Sequence, residues 1–177
     1  MIKSLEAKNI LKFEFAAKVV LAVLLLAASA QLSIPLNPVP ITLQTCLVMV
    51  IGLTYSPMAA FLGTVTYVFL GSIGAPIFQN FTYGFFGVTA GYKVGFIASA
   101  TLTAYVRHIF GDGKLKTVLY CMLGTAVIFV FGVAWLSTII GFEAAIFEGG
   151  IKFIPTGLIK IGIVSSIVGY LRSEEVQ

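Results

Sequence analysis

The side chains in this chain that could do chemistry are few, and the most informative are lysines inside apolar sequence. Lys93, Lys152 and Lys160 stand apart from the other basic residues. A charge at the centre of a membrane helix costs ~2.5 to 3.5 kcal/mol unless it is paired or solvated. Lys160 falls about one and a half turns into an apolar segment that follows Pro155-Thr156-Gly157, and no carboxylate lies within a turn of it. A bound anion would neutralise it; the alternative is a stem that snorkels to the nearby interface. The same choice applies to Lys93, whereas Lys152, ahead of the helix, reads as a solvated flank. Gln44, Thr45, Gln79, Asn80, Thr82 and Thr89 add amides and hydroxyls, and Phe78, Phe81, Tyr83, Phe85 and Phe86 add aromatic surface between glycines. Apolar walls, a few neutral polar groups and a lysine or two fit a small carboxylate with an apolar body. An interfacial aromatic belt is the other reading of those rings.

Other chemistries are excluded by what is missing. No Asp or Glu occurs between Glu14 and Asp112, and Glu143 and Glu148 fall in a connection, so there is no intramembrane carboxylate relay of the kind an ion-coupled pump needs. His108, the single histidine, sits beside Arg107 and reads as interfacial. There is no GxxxxGK[ST] loop, no HExxH and no nucleophile elbow. Cys46 and Cys121 are far apart without metal-ligand spacing and read as small buried hydrophobes. No catalytic residue, cofactor or metal site is expected, and the basic residues form no nucleic-acid-binding surface.

The elements that must position these groups are membrane helices. Of 177 residues, 59% are apolar, 13% aromatic and 10% charged, with a mean hydropathy of +1.04; a soluble domain is about a quarter charged. At about 20 residues per crossing, the chain has room for six helices in one all-α domain, 1–177. Helix one is expected over 13–33; its Ala28-Ser29-Ala30 end imitates a signal-peptide cleavage site, but it reads better as a retained wall of the bundle. Three prolines at 35, 38 and 40 require an extended loop. A short helix follows over 42–55, and Ser56-Pro57 restarts a third that ends near 71. Residues 72–90 read as a long irregular glycine-aromatic loop, too long for a mere connector. Helix four is expected over 91–109, a Gly-Asp-Gly turn at 111–113, helix five over 115–140, a short surface helix near Glu143 and Glu148, and helix six over 155–171. Of the 11 Lys and Arg, eight (Lys3, Lys8, Lys12, Lys18, Arg107, Lys114, Lys116, Arg172) fall on one face and three on the other. The positive-inside rule makes the first face cytoplasmic, with both termini.

Several runs then resemble one family. Ala30-Gln31-Leu32-Ser33-Ile34-Pro35 and Pro38-Val39-Pro40-Ile41-Thr42-Leu43-Gln44-Thr45 are similar to the A-Q-[IL]-x-I-P and P-V-P-I-T-L-Q-T segments of the BioY family, the biotin-specific substrate-binding (S) components of energy-coupling factor vitamin transporters. Gly71-Ser72-Ile73-Gly74-Ala75-Pro76-Ile77-Phe78, Gly87-Val88-Thr89-Ala90-Gly91-Tyr92, Gly132-Val133-Ala134-Trp135-Leu136 and Phe153-Ile154-Pro155 with Lys160 continue the match over nearly the whole chain. The resemblance implies six transmembrane helices that capture a vitamin, biotin above all, from outside the plasma membrane. It also implies docking onto a transmembrane coupling protein and two ATP-hydrolysing subunits, which would supply the energy. By the same resemblance Lys160 contacts the ligand and the loop before Tyr92 closes the site; Lys93, Thr89, Gln44, Asn80, Phe86, Thr156 and Tyr92 complete the candidate set.

Two positions depart from the family pattern. Pro155-Thr156-Gly157 replaces Pro-Gly-Asp, so a carboxylate expected to accept from the ureido ring is absent. An unpaired donor there costs ~1 to 3 kcal/mol, about one or two decades of affinity. Asn80, Gln79 or Thr156 then stands in, or the ligand is a ring without that donor, such as lipoate. Helix one also lacks a pair of small residues four apart for close packing on a coupling protein. A membrane scaffold that binds a protein partner and a stand-alone facilitator are the competing classes.

Overall fold

The computed structural model describes residues 2–174, with side chains from Ile10 to Arg172; Lys3 and Lys8, counted above toward the basic face, lie outside the described side chains. The chain is an all-α bundle of six principal helices and one short one. Helix α1 spans Ile2–Gln31, α2 Gln44–Thr54, α3 Pro57–Ser72, α4 Ala90–Phe110, α5 Lys114–Ile140, α6 Phe142–Gly149 and α7 Ile154–Glu174. Between α1 and α2 the proline segment forms two short antiparallel strands, β1 (Ser33–Ile34) and β2 (Ile41–Thr42), registered Ser33 to Thr42. The Asn37–Pro38 peptide is cis.

Local sequence explains the boundaries. Ser56 caps α3, its hydroxyl accepting from the Ala59 amide at 3.4 Å, and Pro57 takes the first-turn position where a missing amide donor is harmless. Gly111, Gly113 and Gly141 turn the chain with φ of +74°, +159° and +87° at the ends of α4 and α5. The 73–89 segment contains one 3-10 turn, Gln79–Phe81, and is otherwise irregular.

Helices α4 and α5 pack most extensively, and α4 also contacts α2 and α3, while α1 lies on α3 and α7 on α5. Small residues permit the close approaches. A Cβ on Gly63 of α3 would come within 2.6 Å of the Ala22 Cβ of α1, and one on Gly95 of α4 within 2.9 Å of the Ile128 backbone. Where the hydrophobic effect does not drive helices together, such contacts are what holds them. Conversely, Leu24, Phe69, Val130 and Ile163 are exposed, as a lipid-facing surface requires. Helix α5 and the 142–172 segment are each long and apolar enough to cross a bilayer; α2 and α3 are shorter. The expected six-helix bundle is therefore present, with α1 running closer to the N-terminus than hydropathy indicated.

The bundle has two distinct ends. Gln31, at the end of α1, bonds the 73–89 loop, and Tyr92 at the start of α4 bonds Gly149 of α6. At the other end Arg172 of α7 meets Asp112 in the α4–α5 turn. Arg107, Lys114, Lys116 and Arg172 thus gather at one end and Lys93, Lys152 and Lys160 at the other, the partition expected from the sequence.

Candidate functional site

At the loop end of the bundle a cavity of about 120 Å³ is enclosed by five helices and two loops. A water needs ~10 to 15 Å³ by such a measure, so there is room for a small organic molecule. Val39, Pro40, Ile41 and Thr42 of the proline segment close one side, and Phe78, Gln79 and Thr82 of the 73–89 loop another. Gln44, Thr45 and Met49 of α2, Tyr67 of α3, Tyr92, Lys93 and Phe96 of α4, Thr125, Ile128 and Phe129 of α5, and Thr156, Gly157 and Lys160 of α7 form the walls. No Asp or Glu among the described residues lines it.

Lys160 is directed inward. Its Nζ donates to the Thr42 carbonyl at 2.7 Å and to Thr45 Oγ1 at 2.8 Å. Both acceptors are neutral, and none of the ion pairs among the described residues includes Lys160. Two of the three ammonium donors are satisfied, and the charge is not. The arrangement is not a snorkelling lysine but a cation fixed beside a cavity. Lys152 differs: it pairs with Glu148 at 2.7 Å on the surface, one helical turn away, as a flanking residue should.

Lys93 has work within the protein. It is 9% exposed; its Nζ donates to the carbonyls of Gly84 (2.9 Å) and Phe85 (3.1 Å) and lies 4.1 Å above the Phe78 ring. It therefore pins the 73–89 loop through two hydrogen bonds and a cation–π contact. Other side chains hold the same loop. Gln31 donates to the Phe78 carbonyl (3.0 Å) and accepts from the Phe81 amide (3.1 Å), Gln79 donates to Ser33 Oγ (3.1 Å), and Trp135 donates from Nε1 to the Gly87 carbonyl (2.9 Å). Gln44 Nε2 donates to the Tyr67 hydroxyl (2.7 Å), which donates in turn to the Ile77 carbonyl (3.2 Å). Gln44 keeps its carbonyl oxygen as a cavity acceptor.

Of the eight candidate residues, Lys160, Tyr92, Lys93, Thr89, Gln44 and Thr156 line the cavity. Asn80 and Phe86 do not. Asn80 sits exposed in a left-handed turn at φ +55°, and Phe86, 83% exposed, leans on Trp135 with ring centroids 6.5 Å apart. Tyr92 presents its ring to Gly132, and its hydroxyl donates to the Gly149 carbonyl at 2.7 Å, so its polar group is already engaged. Tyr67, Phe78, Phe96, Thr125, Phe129 and Phe153 complete the wall and were absent from the candidate set. Tyr67, Phe96, Thr125 and Phe129 lie inside long apolar helices, where only the helix rotation selects them, whereas Phe78 and Phe153 come from the loop and the 3-10 turn at the cavity mouth. Gly157 opens directly onto the cavity: a Cβ there would meet only Thr125 Cγ2 at 3.7 Å and Phe129 Cε2 at 3.8 Å. A side chain at this position has room.

Comparison with known proteins agrees with this architecture. A relative in Rickettsia prowazekii described as a probable biotin transporter BioY is 35% identical over 88% of this chain and 82% of its own. The biotin transporter BioY of Thermotoga maritima is 34% identical over 86% of this chain and 92% of its own. The crystal structure of the S-component for biotin from an ECF-type ABC transporter superposes with a TM-score of 0.84 at 21% identity, covering 93% of this chain and 94% of the other, and so shares the fold. The model of the BioY family matches residues 2–175, and the chain belongs to the BioY family.

Proposed function

We propose that the chain is the membrane-embedded substrate-binding subunit of an ECF-type importer, capturing biotin at the outer face of the plasma membrane. Lys160 carries this reading at the level of the site: a fixed ammonium, bonded among the described residues only by neutral oxygens, borders an aromatic cavity that none of their acids lines. A ligand carboxylate supplies the missing charge, and the rings of Phe78, Phe96, Phe129 and Phe153 supply an apolar wall for its body. The family membership and the relatives' names favour biotin. The chain is a single domain over 1–177 with both termini cytoplasmic, a topology favoured by the gathering of basic side chains at the end opposite the cavity. It performs no chemistry of its own. A transmembrane coupling protein and two ATP-binding subunits drive delivery.

One observation favours a variant of this reading. With Gly157 in its wall, the cavity has no carboxylate among the described residues to accept from a ureido ring, which suits a ring-bearing acid lacking that donor, such as lipoate.

Vesicles test the proposal. With this chain alone, labelled biotin should bind without accumulating; with the coupling protein, ATP-binding subunits and ATP, it should accumulate. Sustained uptake by the chain alone would instead indicate a facilitator, and absence of saturable binding a scaffold.

A further inference from the structure

Gln44 of α2 and Tyr67 of α3 line the cavity together, and the hydrogen bonding between them has a fixed direction. A backbone carbonyl can only accept, so the Tyr67 hydroxyl spends its single proton on Ile77, 3.2 Å away. What the hydroxyl has left is lone pairs, and these require a donor from the Gln44 amide, 2.7 Å away. Nε2 therefore turns toward Tyr67, and Oε1 turns away from it. A flipped amide would set two oxygens against each other with no proton between them.

The relay is held rigidly. Tyr67 is fully buried and its ring meets Phe78 edge-on with centroids 5.4 Å apart, while Gln44 is 7% exposed. Buried polar atoms are nearly always bonded, yet Gln44 Oε1 has no partner among the described residues. It is not sealed inside the protein, as the unpaired hydroxyls of Tyr55, Ser99 and Thr103 are, and the residue that carries it lines the cavity. Thr45 and Thr156 line the cavity too, but a hydroxyl rotates and offers a donor or an acceptor to suit. Gln44 Oε1, locked from behind, can only accept.

Building on the reading of the cavity as a vitamin site, we infer that Tyr67 is a positioning residue: it holds the Gln44 amide so that Oε1 accepts an N–H from the ring of the ligand. The site is thereby selective for a cyclic urea or cyclic amide over a ring without such a donor. Gln44 supplies a neutral acceptor in a cavity that no Asp or Glu among the described residues lines. A dithiolane ring placed against Oε1 would strip it of water and return no hydrogen bond.

Calorimetry of the purified full chain with biotin and with lipoate tests this through the ratio of the two affinities. Tyr67→Phe frees the amide to turn, so the preference for biotin should fall about tenfold, the value of one buried hydrogen bond; a merely structural defect would weaken both vitamins alike. Gln44→Leu should lower the preference as far. In the Tyr67→Phe background Gln44→Glu, which presents an acceptor in either orientation, should restore it. If Tyr67→Phe does not fold, Gln44→Leu decides the matter. A preference unchanged by these substitutions, or an unsubstituted chain that binds lipoate more tightly than biotin, overturns the inference and leaves the importer reading standing. Absence of saturable binding of either vitamin overturns that reading and the inference with it.

Discussion

Lys160 donates a 2.7 Å hydrogen bond to the carbonyl of Thr42, 118 positions earlier in the chain. The bond joins the last helix to the short strand that closes the proline segment, and Thr45 Oγ1, in the first turn of α2, accepts a second one at 2.8 Å. The ammonium is thereby held in place before any ligand arrives. Pre-fixing a charge in this way spares the ordering entropy that a mobile lysine would lose on binding.

Replacing Lys160 with methionine keeps the stem and removes the charge. Affinity for a carboxylate vitamin should fall by roughly one to two decades, the value of a charge-assisted hydrogen bond of ~1.5 to 3 kcal/mol. The methyl ester of biotin should lose far less between the two proteins. Calorimetry with acid and ester on both proteins measures the difference, and equal losses for the two ligands would remove Lys160 from carboxylate recognition.

Gly157→Asp places an acceptor beside the cavity in space that the structure leaves open. Biotin affinity should rise about tenfold if its ureido donors reach that acid, while lipoate affinity should stay level or fall. Competition between the two vitamins reports the change directly. A parallel rise for both would mean that the acid acts through Lys160 and not through the ring.

Lys93 is expected to govern how long a ligand stays. Lys93→Met removes both bonds to Gly84 and Phe85 and the cation over Phe78. Amide exchange in the 78–89 segment should accelerate and ligand release quicken about tenfold, with association little changed. Hydrogen exchange and stopped-flow release are the measurements; an unchanged exchange rate would show that Gln31 and Trp135 hold the loop without it.

Close helix packing makes a separate, ligand-free prediction. Gly63→Leu drives a branched side chain into Ala22 of α1, and overpacking of this kind costs ~1 to 3 kcal/mol or more. Thermal unfolding in detergent should show a clear drop. Gly162→Ala, where a Cβ meets nothing, should show none.

Much of this was legible in residues and spacing. Ser56-Pro57 marks a cap and a restart because one supplies an acceptor and the other lacks an amide donor, and α3 begins at Pro57. Lys160 has no acid near it in sequence, and it borders a cavity that no Asp or Glu among the described residues lines. What sequence did not show was the use of each polar group. Lys93 and Tyr92 have the composition of ligand contacts, yet their polar atoms are bonded to carbonyls of Gly84, Phe85 and Gly149. Such partners are backbone groups, which carry no signature in residue type. Asn80 differs from its neighbour Gln79 only through the backbone: it takes a left-handed conformation and is exposed, while Gln79 lines the cavity.

Biotin capture by Lys160 is measured by a calorimetric titration of biotin into the purified chain, dialysed free of carried-over vitamin, beside the Lys160→Met variant. Saturable one-to-one binding is expected, weakened by one to two decades in the variant. Absence of saturable heat with both biotin and lipoate, or an affinity untouched by the substitution, would contradict it.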